Sequence, residues 1–186
     1  MSILKVINPN IQYRLPALQQ LKVAKHISPN IFENKTPLFH IDLLTFINGE
    51  EKYKAAAVFR GSAKTTLLNK VNIFCRVFFE HEPLTIITSD SRDKAESFLS
   101  DIKDMFISAS NIGYAISKGA VWTKEEVHVT VNKDKKDADG KSLEEICIVI
   151  SISVGTSPRG FLKKNMRPTL IVCDEHGEQS RSVCCR

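Results

Sequence analysis

Apolar residues recur along this chain at two different periods, and the points where one period yields to the other outline an alternation of helices and strands. Leu43, Leu44 and Ile47 share one face of a segment that Gly49 closes, which predicts an amphipathic helix over residues 37–47. An earlier helix is predicted over residues 18–27, inside an opening stretch of helix or coil punctuated by Pro9, Pro16 and Pro29. Over residues 65–79, Leu68, Val71, Phe74, Cys75 and Phe78 again fall at helical spacing. The strongest helical stripe follows Ser89-Asp90-Ser91, a ready N-cap, and runs through Ala95, Phe98, Leu99, Ile102, Met105 and Phe106.

Shorter apolar runs predict strands. Residues 54–59 and 84–88 are brief, apolar and flanked by polar residues, as buried parallel strands are. Val127, Val129 and Val131 alternate with polar residues, Asp137-Ala138-Asp139-Gly140 supplies a turn, and Ile146, Ile148, Ile150 and Ile152 alternate again, predicting a β-hairpin or neighbouring strands. A polar connection over residues 155–165 leads to Leu170-Ile171-Val172-Cys173, four apolar residues followed at once by Asp174-Glu175. Strand, loop, helix, strand, helix, hairpin and acid-ended strand predict an α/β three-layer sandwich with a largely parallel sheet, its ligand outside the carboxyl ends of the strands.

The chemistry this order can carry sits at Arg60-Gly61-Ser62-Ala63-Lys64-Thr65-Thr66, between the residue 54–59 run and the following helix. A tight turn there lets successive backbone N–H groups point at a polyphosphate. The lysine ammonium reaches the outer phosphates, and the next hydroxyl ligates Mg²⁺. Of the pattern G-x-x-x-x-G-K-[ST], only Lys64 and Thr65 fit strictly, since Val58 and Ala63 stand where the glycines would be. The strand-turn-helix context and the carboxylates at the end of a later apolar run supply what the pattern lacks, because a Mg²⁺-nucleotide needs such a carboxylate opposite the loop. The plainer alternative is a polar loop before an ordinary helix, with Lys64 solvated.

Composition narrows the classes. A chain of 186 residues with 42% hydrophobic and 25% charged residues predicts one ordinary domain, and no run of 18 apolar residues is present. The N-terminus lacks the basic-then-apolar build of a secretory signal, so a cytosolic protein is expected. The cysteines are five, with no C-x-x-C pair; Cys75, Cys147 and Cys173 lie in apolar segments as small hydrophobes, and Cys184-Cys185 stand near the terminus, so no zinc site is expected. A net charge of +5 is compatible with a polyanionic partner without demanding one; Lys133, Lys135 and Lys136 alternate with Asp134 and Asp137, the pattern of a solvated turn.

Taken together, Arg60 four residues before the lysine, Ala63 just before it, the 84–90 segment with its following helix, Ser157-Pro158-Arg159-Gly160, and Arg167-Pro168 leading into the acidic strand resemble the ATPase motor domain of tailed-bacteriophage large terminases over roughly residues 35–178. The resemblance implies a P-loop ATPase fold and ATP hydrolysis that drives DNA into procapsids in the host cytoplasm, with ATP and Mg²⁺ as cofactors. It implies that Lys64 holds the β and γ phosphates within the loop from Arg60 through Gly61, Ser62, Ala63, Thr65 and Thr66. Thr65 and Asp174 would hold Mg²⁺, Glu175 would orient the attacking water, and Arg60 would stabilise transition-state charge. Glu178, after His176-Gly177, competes with Glu175 for the carboxylate role, and Arg159 reads equally as a turn residue or a phosphate sensor. Implied partners are double-stranded phage DNA, the portal protein, the small terminase subunit and further copies of the chain in a ring, with no membrane. The implied organisation is a lead segment at 1–35, an ATPase domain at 36–178 and an atypical tail at 179–186. The chain ends twelve residues past Asp174, short of the family's coupling motif and nuclease domain, so weak or absent turnover is expected from it alone. A helicase-like P-loop ATPase and a non-catalytic remnant acting in assembly are the competing readings.

Overall fold

The computed structural model describes residues 14–32, 36–136, 142–153 and 162–174. The predicted turn at 137–140, the Ser157–Gly160 segment, Glu175, Glu178 and the cysteines at 184 and 185 lie outside the described residues.

Among the described residues, four helices, a short 3₁₀ turn at Pro29–Phe32 and five strands carry the fold. Helix α1 spans Ala17–Ile27 and α2 spans Leu38–Asn48, each entered through a proline at the N-cap, Pro16 and Pro37, whose fixed φ suits that position. The third helix runs over residues 66–80 and is mostly π-helical: Thr66–Asn72 and Arg76–Glu80 are wound with wider turns around one α-helical turn at Ile73–Cys75. We call it α3. It ends at His81, which adopts the left-handed conformation. Helix α4, Arg92–Asn111, starts where the sequence places it, because the Ser91 hydroxyl accepts a hydrogen bond from the Lys94 amide at 3.3 Å.

The strands are β1 (Leu84–Ser89), β2 (Ile116–Trp122), β3 (Glu126–Lys136), β4 (Ser142–Ser153) and β5 (Leu170–Asp174), in the spatial order β2-β3-β4-β1-β5. β1 pairs in parallel with β4 on one side and β5 on the other, while β3 pairs antiparallel with both β2 and β4. Four strands therefore run one way and β3 alone runs back. The start of β5 is pinned to β1 by Thr169, whose backbone N–H and hydroxyl both donate to the Leu84 carbonyl.

Register decides which residues face the helices. Val127 lies opposite Val149 and Val129 opposite Cys147, and these residues join Ile87, Leu99, Ile102, Met105, Phe74 and Phe106 in the main core. The isoleucines at 148 and 150 point to the other face, where they cluster with Leu84 and meet Ile152 and Met166. The described helices pack on the first face, and the mixed, mostly parallel five-stranded sheet is that of the expected α/β class. The strand β2 was not read from the sequence. Its residues do not alternate cleanly, and Gly119 is there because a Cβ would come within 2.8 Å of the His128 backbone carbonyl oxygen.

Residues 54–59 are the clearest departure from expectation. They form no strand and leave Phe59 exposed. A strand is stabilised by a neighbour's hydrogen bonds, and none of the described strands lies alongside this run. The outer edge of β5 instead faces Lys52, Lys54, Ala55 and Ala56 across a cavity of about 390 Å³. Lys54 meanwhile donates to the carbonyls of Ile47 (2.7 Å) and Gly49 (2.6 Å) at the end of α2.

A buried amide cluster ties the three helices together. Gln20 on α1 donates to Asn48 at 3.2 Å, Asn72 on α3 donates to the same Asn48 oxygen at 3.2 Å, and Gln20 also reaches the Leu15 carbonyl. Arg14 joins it by donating to the Asn48 and Gly49 carbonyls and pairing with Glu80. Such a cluster holds together because every buried amide there finds a partner.

Candidate functional site

The loop ahead of α3 is built from residues of alternating handedness. Gly61 has φ +78° and Ala63 φ +58°, with Ser62 between them buried. Such alternation turns successive amides towards one side and forms an anion-binding concavity. The first helical hydrogen bond runs from the Leu67 amide to the Ala63 carbonyl at 2.9 Å. The amides of Lys64, Thr65 and Thr66 precede that ladder and have no acceptor within it. The Ser62 carbonyl accepts from His40 Nε2 at 2.8 Å, which anchors the loop to α2 and fixes which ring nitrogen carries the proton.

Asp174, at the carboxyl end of β5, closes the site from the sheet. Its register opposite Ser89 turns it to the helical face. There its carboxylate receives three groups from the loop and α3: Lys64 Nζ lies 3.3 Å from Oδ1, Thr65 Oγ1 donates to Oδ2 at 2.9 Å, and Asn69 Nδ2 donates to the same Oδ2 at 3.2 Å. Asp174 is 5% exposed, so these contacts are what make its burial tolerable. Lys64, Thr65 and Asp174, 109 residues apart for the latter pair, thus meet without any strand at residues 54–59.

Asn69 was not singled out from the sequence. It lies one turn beyond Thr65, so both side chains fall on the side of α3 facing β5, and a buried polar residue at that spacing from a motif threonine is the signal that could have found it. Arg60 is exposed, and among the described residues it makes no side-chain hydrogen bond or ion pair. Cys173 departs from its reading as a buried hydrophobe: Cys75 and Cys147 are buried, Cys173 is exposed. Burial pushes the Cys75 thiol well above its ordinary range.

The arrangement fits a Mg²⁺-nucleotide. The Thr65 hydroxyl and the Asp174 carboxylate, joined here by a hydrogen bond of 2.9 Å, stand side by side next to Lys64. Both are hard oxygen donors of the kind that ion takes.

No protein-family model matches the sequence, and a search of curated proteins finds no match. Among solved structures, the chain is similar to a mutant of the ATPase domain of the large terminase of Thermus phage P74-26, with 13% sequence identity and a TM-score of 0.48, over 76% of this chain and 59% of that one. The chain spans about three fifths of that neighbour's length. Among the described residues, no helix is long and apolar enough to cross a membrane.

Proposed function

We propose that this chain binds ATP at the loop of residues 60–66, within the ATPase domain, spanning 36–178, of a phage DNA-packaging motor. The observation that carries the reading is the convergence of Lys64 and Thr65 on Asp174. The sequence places a phosphate-gripping loop and an acid-ended strand in the order a nucleotide site needs, and these are the residues that touch.

In this reading the loop amides and Lys64 take the β and γ phosphates, and Thr65 with Asp174 holds Mg²⁺, which neutralises charge on the phosphates. Asn69 keeps the Asp174 carboxylate aimed at that position. Glu175, next along the chain, orients the attacking water, with Glu178 as the competing carboxylate. Arg60 supplies positive charge to the transition state from the mouth of the loop; such an arginine is worth about 10³–10⁵ in rate where it acts. Double-stranded DNA, a portal, a small subunit and a ring of copies are the partners that the resemblance to packaging motors brings.

Calorimetric titration with Mg-ATP tests the site. Lys64→Ala is expected to bind at least tenfold more weakly than wild type, and equal affinity would remove the assignment. Because that variant also leaves Asp174 without its cation, circular dichroism monitors its fold, and Thr65→Val gives an independent arm in which the Mg²⁺ dependence of binding is lost.

A further inference from the structure

The loop has a second side. Gly61, Ala63 and Thr66 also line a cavity of about 430 Å³, separate from the cleft that Asp174 lines, whose other walls include Phe39, Phe59 and Asn30. We propose that this cavity receives the base of the bound nucleotide, with Phe39 and Phe59 as its aromatic walls. The inference rests on reading residues 60–66 as the phosphate site.

Three observations point there. The adjacent threonines part company: the Thr65 hydroxyl goes to Asp174, while Thr66 lines the far cavity. A ligand whose phosphates follow the loop therefore passes from one side to the other within two residues. The two sides also differ in chemistry. The cleft on the Asp174 side holds Lys52, Lys54, Lys64 and Asn69, groups suited to phosphate and metal, whereas the far cavity is lined by the rings of Phe32, Phe39 and Phe59 with the neutral polar groups of Asn30, Thr36, His40 and Thr66. The rings, finally, stand ready but uncovered: the Phe39 and Phe59 centroids lie 5.3 Å apart with planes inclined by 55°, and Phe59 is 66% exposed. A flat heterocycle against such a ring stacks whatever its identity, because every base has a π face.

The cavity is also held in fixed relation to the loop. His40, next to Phe39, is buried and donates to the Ser62 carbonyl, and its ring meets Phe39 edge-on at 4.4 Å. Base wall and phosphate loop thus form one unit. Asn30 offers a donor and an acceptor together, so it can satisfy the edge of a base without selecting which one.

Calorimetry of the 186-residue chain with two probes, Mg-ATP and Mg-tripolyphosphate, separates the parts. Wild type is expected to bind ATP at least tenfold more tightly than tripolyphosphate. Phe59→Ala, at an exposed position where folding is not at stake, is expected to lower ATP affinity roughly tenfold and leave tripolyphosphate unchanged, with Phe59→Trp restoring ATP binding. Equal ATP affinity in Phe59→Ala and wild type, or a parallel loss of both probes, would overturn the base assignment. Failure of tripolyphosphate to bind wild type, or equal binding of it by wild type and Lys64→Ala, would instead bring down the phosphate site beneath it.

Discussion

Ala63 occupies a backbone conformation that its side chain resists. At φ +58° its Cβ crowds the following carbonyl, a cost of roughly 1–2 kcal/mol that glycine escapes, offset in part by the greater freedom glycine has when unfolded. Ala63→Gly is therefore expected to stabilise the protein by roughly 0.5–1 kcal/mol. Urea denaturation would read it as a higher midpoint at unchanged slope, and a lower midpoint would mean that the left-handed turn is not what position 63 adopts in solution. The absence of glycine here made the motif look weak in the sequence, yet the conformation the glycine would have adopted is present. That Lys64, Thr65 and Asp174 meet was legible from their order, a polar loop before a helix and an acid at the end of a later apolar run. Asn69 was not, since an asparagine in mid-helix reads as a solvated residue until the fold shows that its face is covered.

Among the elements, the segment at Lys163 shows how an exposed connection is held to the sheet. Lys163 and Met166 bridge each other around a turn at Lys164 and Asn165, both with positive φ. Lys163 Nζ lies 2.7 Å from Glu126 Oε2 at the start of β3, and His128 Nε2 lies 2.5 Å from Glu126 Oε1. Burial pushes the Glu126 carboxyl up, but hydrogen bonds and charge from Lys163 and His128 outweigh it and hold it below the ordinary glutamate range. A carboxyl with a lowered native pKa contributes stability above its unfolded value and loses it as pH falls through the native one. Lys163→Met should consequently cost most stability near neutrality, where the pair is fully charged, with the difference from wild type narrowing as pH falls through the native Glu126 pKa, and so move the acid-unfolding midpoint to higher pH. Circular dichroism across an acid titration would check this, and an unmoved midpoint would count against the pair.

The same scale explains which elements the sequence could and could not disclose. Helix α4 was legible because its stripe of six apolar residues and its serine cap are local features. Residues 54–59 were misread as a strand because an apolar run says nothing about whether a partner lies beside it. Strand β2 escaped because Lys118 and Gly119 interrupt its alternation, and only the approach of His128 explains the glycine.

For the molecule as a whole, α1, α2 and α3 are joined through the Gln20–Asn48–Asn72 cluster, and α3 carries the loop of residues 60–66 at its start. A ligand seated on that loop and on β5 would join the helical layer to the sheet and stabilise the native state by mass action. At a free Mg-ATP concentration 100 times its dissociation constant the gain is about 2.7 kcal/mol, or several degrees in melting temperature for a chain of this size. Differential scanning calorimetry should show that rise for wild type and its absence for Lys64→Ala. A rise of the same size in both would place the nucleotide elsewhere.

The contact between Lys64 and Asp174 carries one more implication. The ammonium serves as internal counter-ion to a carboxylate that is almost wholly buried. A polyphosphate arriving alone would draw the lysine away and set its own negative charge against the orphaned acid, whereas one arriving with a divalent cation offers the acid a replacement at the same moment. If the proposed ligand binds here, charge balance by itself would bias the site towards its metal complex.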